Sequence, residues 1–127
     1  TRSEEHRIHA EELSAVWSGG SNDDPGTELD SVLIFASSGV LMVNSLKNLR
    51  KGGTVVSAGI HMSDIPKFPY RLLYGERAMM SSTNVTHQDG QEFLKLASEI
   101  PIRTEVKLYQ LEQANQALLD LKQSRIK

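Results

Sequence analysis

The chain of 127 residues contains no cysteine, and aromatic residues make up only 6% of it. The absence of cysteine excludes disulfide frameworks, thiol catalysis and thiolate zinc sites within these residues. No apolar run approaches the length of about 18–20 residues that a membrane-spanning helix needs. With 14 basic and 16 acidic residues, the formal net charge is −2, which argues against a supercharged nucleic-acid binder. The composition predicts a soluble globular piece of about one domain, with a modest core.

The N-terminal residues, TRSEE, do not resemble a signal peptide, and the lack of cysteine suits a reducing compartment. We therefore expect a cytoplasmic protein. No basic patch with interleaved aromatic residues is present, so we expect no nucleic-acid partner and no membrane partner. Because the chain begins with Thr1 and not with methionine, we interpret it as an excised or processed segment.

Short apolar runs alternate with stretches of helical spacing along the chain. Strands are predicted over residues 15–17, 32–36, 54–58, 78–83 and 105–109, with the second and third buried on both faces. Helices are predicted over residues 3–13, 40–49, 70–74, 89–100 and 112–123, with Ser3 as the first N-cap and the 51–53 turn as a glycine C-cap. This alternation predicts an α/β fold in which helices pack on a parallel sheet.

Small residues follow two of the predicted buried strands. In an open parallel sheet, ligands bind just beyond the carboxyl ends of the strands, so residues 36–39 and 58–61 are candidate ligand contacts. His61 and Asp64 lie in the second of these loops and form a candidate hydrogen-bonded pair. The alternative is that small residues simply allow the chain to turn at both places, and spacing alone favours this alternative.

Motifs for metal, phosphate and nucleophilic chemistry are missing from the sequence. His6 and His9 lie three residues apart, but no third ligand is near, so we predict no metal site in this chain. The sequence has no Gly-x-Ser-x-Gly, no phosphate-loop motif and no Gly-x-Gly-x-x-Gly. We therefore assign no catalytic residue.

Several segments nevertheless resemble one family in particular. Residues 49–66, LRKGGTVVSAGIHMSDIP, resemble a segment of the zinc-dependent alcohol dehydrogenases of the medium-chain dehydrogenase/reductase superfamily. The resemblance continues at residues 68–70, 72–73, 75–77, 100–106 and 111–117, and residues 1–7 look like the turn and helix after the second strand of the nucleotide domain. It implies an enzyme that oxidises an alcohol or reduces an aldehyde or ketone, with NAD or NADP carrying the hydride and zinc polarising the oxygen.

The resemblance also implies which residues meet the nicotinamide side of the cofactor. These residues follow the predicted strands, and those after the third strand would make contact through backbone groups. They are Ala36, Ser37, Ala58, Gly59, Ile60 and Ser82.

Three further positions are implied for the rest of the cofactor. Lys127 falls where relatives often place a basic residue on the pyrophosphate, and Thr1 and Arg2 follow the strand whose end selects the adenosine ribose. An arginine there, with no acidic residue beside it, would tolerate the 2′-phosphate of NADP. The choice between NAD and NADP stays open, because the deciding residue can precede Thr1.

The implied fold is a partial Rossmann-like sheet of strand order 3-2-1-4-5-6 that lacks strands one and two, followed by a C-terminal strand–helix segment. Residues 1–100 are expected to form the partial NAD(P)-binding domain, and residues 101–127 the segment that returns toward the catalytic domain. The glycine fingerprint and the zinc ligands of the family would lie outside this chain. We therefore expect the isolated chain to be inactive, and its open sheet edge to make it a homo-oligomer.

Two other interpretations stay open at this point. One is a stand-alone, non-catalytic interaction or regulatory module derived from a dehydrogenase. The other is a relative of the nonzinc quinone reductases. The substrate, a small alcohol or aldehyde, is not specified by these residues.

Overall fold

The computed structural model describes residues 3–102, 104, 106–123 and 125–126. Chain contacts divide it into two compact units, residues 1–84 and 85–127. The first unit contains α1 (Glu4–Glu12), β1 (Leu29–Ile34), α2 (Gly39–Asn48), β2 (Leu49–Ser57), a 3₁₀ turn (Tyr70–Leu72) and β3 (Ala78–Ser81). The second contains α3 (His87–Glu99), a 3₁₀ turn (Leu111–Gln113) and α4 (Ala114–Lys122). The predicted division into a cofactor-binding part, residues 1–100, and a returning segment, residues 101–127, was drawn by function and stays a prediction.

The first unit is built on a parallel sheet of order β1-β2-β3. Helix α2 connects β1 to β2 and packs on one face of this sheet. The predicted α/β class, a partial Rossmann-like parallel sheet with a flanking helix, is confirmed. Ser3 caps α1 as predicted, since its side chain accepts a hydrogen bond from the backbone N–H of His6.

The core of the first unit lies between α2 and the sheet. Met42 and Leu46, which share one helical face by their spacing, are buried there, together with Ile34 and Val55. Leu49 is buried too, but as the first residue of β2 and not as the last residue of the predicted helix. The opposite face of the sheet is much less covered. Leu33 on β1, Val56 on β2 and Met80 on β3 are paired neighbours, so they form one row across that face. Leu33 is 65% exposed and Met80 57% exposed.

Two strand predictions for the first unit are wrong. Residues 15–17 form no strand, and Val16 is fully exposed. A strand needs a hydrogen-bonded neighbour, and in the implied order strand three would pair with strand two, which the chain lacks. The prediction that β1 is buried on both faces is also wrong, because only the face toward α2 is covered.

Gly52 does not terminate α2 as predicted. Helix α2 ends at Asn48, and β2 begins at the next residue, so the glycine lies inside the strand. Its φ of +74° is accessible to glycine without strain, and its N–H donates to the carbonyl oxygen of Gly75 at 2.9 Å. The glycine thus provides an irregularity within β2.

The second unit is helical in the part of the chain that the structure describes. Helix α3 begins two residues earlier than predicted, with Thr86 and Asp89 as its capping box, and it ends at Glu99, before Pro101. The predicted helix over residues 112–123 is confirmed as the 3₁₀ turn followed by α4. The predicted strand over residues 105–109 is wrong for the described residues 106–109, which form no strand. They lack a strand to pair with.

Candidate functional site

The carboxyl ends of the three strands lie side by side at one edge of the sheet. Ile34, Ser57 and Ser81 are register partners at the ends of β1, β2 and β3. Pairing continues one residue further, because the N–H of Ala58 donates to Ile34 at 2.9 Å and the N–H of Ser82 donates to Ser57 at 2.8 Å. The turns that follow the strands therefore emerge next to one another.

The turn after β1 is tight and consists of small, accessible residues. The N–H of Ser38 donates to the carbonyl oxygen of Ala36 at 2.8 Å, and α2 begins directly afterwards at Gly39. Ala36 and Ser37 are exposed on this turn. A ligand could reach the backbone here because both residues are small and exposed.

The loop after β2 turns back toward α2. Ala58 and Ile60 are exposed, and Gly59 is half-buried between them. A methyl group at Gly59 would lie 2.9 Å from the sulfur of Met62 and 3.6 Å from the carbonyl oxygen of Ala36. The space above Gly59 is therefore taken by the end of the Met62 side chain, and the turn after β1 lies close by.

Ser63 joins this loop to the start of α2. The N–H of Gly39 donates to the hydroxyl oxygen of Ser63 at 3.0 Å, while Ser38, at the N-cap position, makes no side-chain cap hydrogen bond. Sequence reasoning missed Ser63. Its sequence neighbours carry no capping pattern for α2, so only the fold of the loop places it there.

Six of the predicted cofactor contacts lie at this edge of the sheet, and the other three cannot be placed. The six are Ala36, Ser37, Ala58, Gly59, Ile60 and Ser82. Thr1, Arg2 and Lys127 lie outside the described residues. The structure therefore brings together the residues predicted for the nicotinamide side.

The structure does not join the predicted hydrogen-bonded pair of His61 and Asp64. No hydrogen bond joins His61 to Asp64, whereas His9 lies 3.3 Å from a carboxylate oxygen of Glu12. Within residues 3–102, 104, 106–123 and 125–126, no group of three or more histidine, aspartate or glutamate side chains could hold a metal ion.

A groove runs along the open edge of β1. Its volume is about 670 Å³, and it is bounded by β1, by α2 and by the loop that carries Trp17 and Asp23. The turn at Ala36 reaches one end of it. The groove thus lies where a further strand would pair with β1.

In the second unit, polar contacts converge on one carboxylate. Asp120 on α4 is only 6% exposed. It accepts hydrogen bonds from Tyr109 at 2.6 Å, Gln116 at 2.7 Å, Arg125 at 2.6 Å and Lys107 at 3.1 Å. These donors, Tyr109 foremost, hold the pKa of Asp120 far below its usual range. We call Asp120 and its four donors the Asp120 cluster.

The Asp120 cluster also affects Lys107. Its hydrogen bonds to Tyr109 and to Asp120 raise the pKa of the Lys107 ammonium group, so the cation is stabilised. The ammonium also lies 5.0 Å from the centre of the Tyr109 ring. The arrangement is saturated with donors and is suited to holding chain segments together.

Comparison with known proteins shows that the chain is similar to an alcohol dehydrogenase. No protein-family model matches it. It is 36% identical over 127 residues to a probable alcohol dehydrogenase, AdhA, of Mycobacterium tuberculosis, covering 99% of this chain and 37% of that protein.

Across the described residues, no helix has the length and apolar character needed to traverse a bilayer.

Solved structures show the same fold at lower identity. A cinnamyl alcohol dehydrogenase from Sorghum bicolor matches with a TM-score of 0.83 at 21% identity, covering 98% of this chain and 37% of that one. The alcohol dehydrogenase of Aeropyrum pernix matches with a TM-score of 0.79 at 22% identity, covering 98% and 38%. The resemblance to alcohol dehydrogenases is thus confirmed in sequence, and solved alcohol dehydrogenases share the fold. The chain spans 37% of the length of the curated relative it matches.

Proposed function

We propose that the chain is the nicotinamide-binding side of an NAD(P)-dependent, zinc-type alcohol dehydrogenase, acting on a small alcohol or aldehyde. The observation that carries this proposal is the row of small, accessible turns at the carboxyl ends of β1, β2 and β3. Ligands of open parallel sheets bind at this edge. The 36% identity to a probable alcohol dehydrogenase supports the same assignment.

The residues at this edge fit a flat, polar ring such as nicotinamide. Ala36, Ala58 and Gly59 leave the backbone accessible, so carbonyl and N–H groups can meet an amide. The hydroxyl groups of Ser37 and Ser82 are exposed on the neighbouring turns. When bound, the cofactor supplies hydride transfer, and the residues of this chain bind and orient it.

The zinc chemistry is proposed for a part of the protein outside these residues. The chain has no cysteine, and its described residues offer no suitable cluster of histidine and carboxylate side chains. The contribution to catalysis that we propose for this chain is to hold the cofactor.

The exposed apolar surfaces support a chain that is completed by further polypeptide. In an all-parallel sheet both faces are normally covered, but the row of Leu33, Val56 and Met80 is largely open. In the second unit, α3 contains no buried residue and exposes Phe93 and Leu94. Apolar surface of this extent marks an interaction site.

The test of cofactor binding is a titration of the ¹⁵N-labelled chain with NADH and with NADPH. We expect amide shifts centred on Ala36, Ser37, Ala58, Gly59 and Ile60, and no turnover of primary alcohols with NAD⁺ or NADP⁺. Shifts confined to other residues, or none with either cofactor, would contradict the binding site. Turnover by the pure chain would contradict the expectation that it is inactive alone.

Self-association through the open side of β1 is the second expected property. Leu33 on β1 and Phe35 directly after it are exposed apolar side chains. The backbone at the free edge of β1 can pair with a strand of another chain. Size-exclusion chromatography with light scattering should give dimers or larger species at micromolar concentration. Leu33→Lys should shift the chain toward the monomer, and Val85→Lys, at an exposed position outside the helices and strands, should not. A clean monomer of the parent chain would refute this expectation.

A non-catalytic interaction module derived from a dehydrogenase is the second candidate function. The exposed apolar surfaces favour it as well, because they could bind another protein. The two candidates differ in the titration, since a module that lost its cofactor role would show no shifts at the turns after β1 and β2.

A further inference from the structure

We infer that Ser63 is a positioning residue that fixes the loop after β2 in the shape required for cofactor binding. The inference rests on the proposed function, because it concerns the same loop, residues 58–64. The juxtaposition that supports it is the hydroxyl group of Ser63 at the N-terminus of α2. This contact joins two segments that are 24 residues apart in the chain.

The hydrogen bond solves a problem at the start of α2. The first N–H groups of a helix have no partner within the helix, and a side chain usually caps them from the N-cap position. Ser38 occupies that position but makes no such hydrogen bond. Ser63 supplies an acceptor for Gly39, the first of these N–H groups, so a side-chain contact to this end of α2 comes from the loop after the next strand.

The backbone of the loop lies directly against the same helix end. Gly39 is buried, and a methyl group built on it would overlap the carbonyl group of Asp64 and lie 2.7 Å from the carbonyl oxygen of Ser63. The side-chain hydrogen bond and the backbone contact therefore fix the loop at two neighbouring points. We call this contact of Gly39 with Ser63 and Asp64 the helix–loop clamp.

The clamp determines where the predicted nicotinamide contacts lie. Ala58 is held at one end by its hydrogen bond to Ile34, and the clamp holds the loop at the other end. Gly59 and Ile60 lie between these two fixed points, and Ile60 is 87% exposed. Loss of the Ser63 hydrogen bond would let the backbone between these points move. A ligand would then have to order this backbone on binding, which lowers its affinity.

The clamp also affects the anion-binding capacity of α2. A free helix N-terminus attracts phosphate groups through its unpaired N–H groups. Here the N–H of Gly39 is already occupied by Ser63. The clamp thus leaves one N–H group fewer for an anion at this end of α2, in agreement with a contact to the nicotinamide side and not to a phosphate group.

The experiment compares Ser63→Ala with Ser38→Ala and Ser63→Thr by amide hydrogen exchange and by NADH and NADPH titration. Ser63→Ala should make the Gly39 amide exchange about five-fold faster, the scale that loss of a helix cap implies. Ser38→Ala should leave it unchanged. Affinity for the dinucleotide should fall about three-fold or more in Ser63→Ala, and Ser63→Thr, which keeps the hydroxyl group, should restore it.

The outcomes separate the inference from the proposed function. Unchanged Gly39 exchange in Ser63→Ala overturns the clamp, whatever the cofactor does. Faster exchange with unchanged dinucleotide affinity overturns the positioning role. If no variant and not even the parent chain binds either dinucleotide, the proposed function fails and the positioning role fails with it, while the exchange data still report on the clamp.

Discussion

Replacing Gly39 by alanine is expected to lower the free energy of unfolding by about 2 kcal/mol, the typical cost of forcing a group into a packed site. The added methyl group would meet backbone atoms of Ser63 and Asp64 and not the end of a flexible side chain. Relief therefore requires the loop after β2 to move. Urea denaturation followed by circular dichroism measures the loss, and amide shifts at Gly59 and Ile60 would report the displaced loop.

Gly90→Ala is the matched control for this substitution. Gly90 lies within α3, and a methyl group there meets nothing within 4 Å. The same chemical change should leave stability unchanged or raise it by up to about 1 kcal/mol, because alanine favours the helix. If Gly39→Ala were as stable as Gly90→Ala, the loop would not lie against α2.

Asp120→Asn is expected to destabilise the second unit strongly, because an amide cannot accept hydrogen bonds from all four of the donors in the Asp120 cluster. Two of those donors, Lys107 and Arg125, are cations that would lose their ion pair. The thermal midpoint of α4, followed by NMR, should fall by about 5 °C. Glu112→Gln, an exposed carboxylate in the same unit, should change it little.

The pH dependence of the second unit follows from the lowered pKa of Asp120. A carboxylate whose pKa is lower in the folded chain than in the unfolded chain stabilises the fold at pH values above its ordinary pKa, near 4. This stabilisation is lost progressively as the pH falls below that value. The parent chain should therefore lose stability on acidification, and Asp120→Asn should show a flatter profile. Equal slopes in the two proteins would contradict the role of the cluster.

The sequence predicted the elements whose stabilising contacts are local. The spacing of Met42 and Leu46 was sufficient to predict the buried face of α2, and runs of branched residues were sufficient to predict β1 and β2. A polar alternation at residues 105–109 was not sufficient for a strand, because strand formation depends on a partner elsewhere in the chain.

The candidate site was predicted in its residue types and not in its internal contacts. Small residues after two strands indicated the turns at Ala36 and Ala58, and the family resemblance added Ser82. The role of Ser63 depends on a backbone that returns across 24 residues to Gly39, a distance that no local pattern encodes. For the same reason the Asp120 cluster, drawn together from residues 107–125, could not be foreseen.

The placement of the core has a consequence for how the chain acquires its structure. Among the residues that the structure describes, the five buried apolar ones lie at positions 34 to 55, within the consecutive segment β1–α2–β2. Contacts of low sequence separation form early, since closing a short loop costs little entropy. We expect this segment to serve as the folding nucleus onto which β3 is added. The segment would then keep its structure whether the residues around it are covered by further polypeptide or by water.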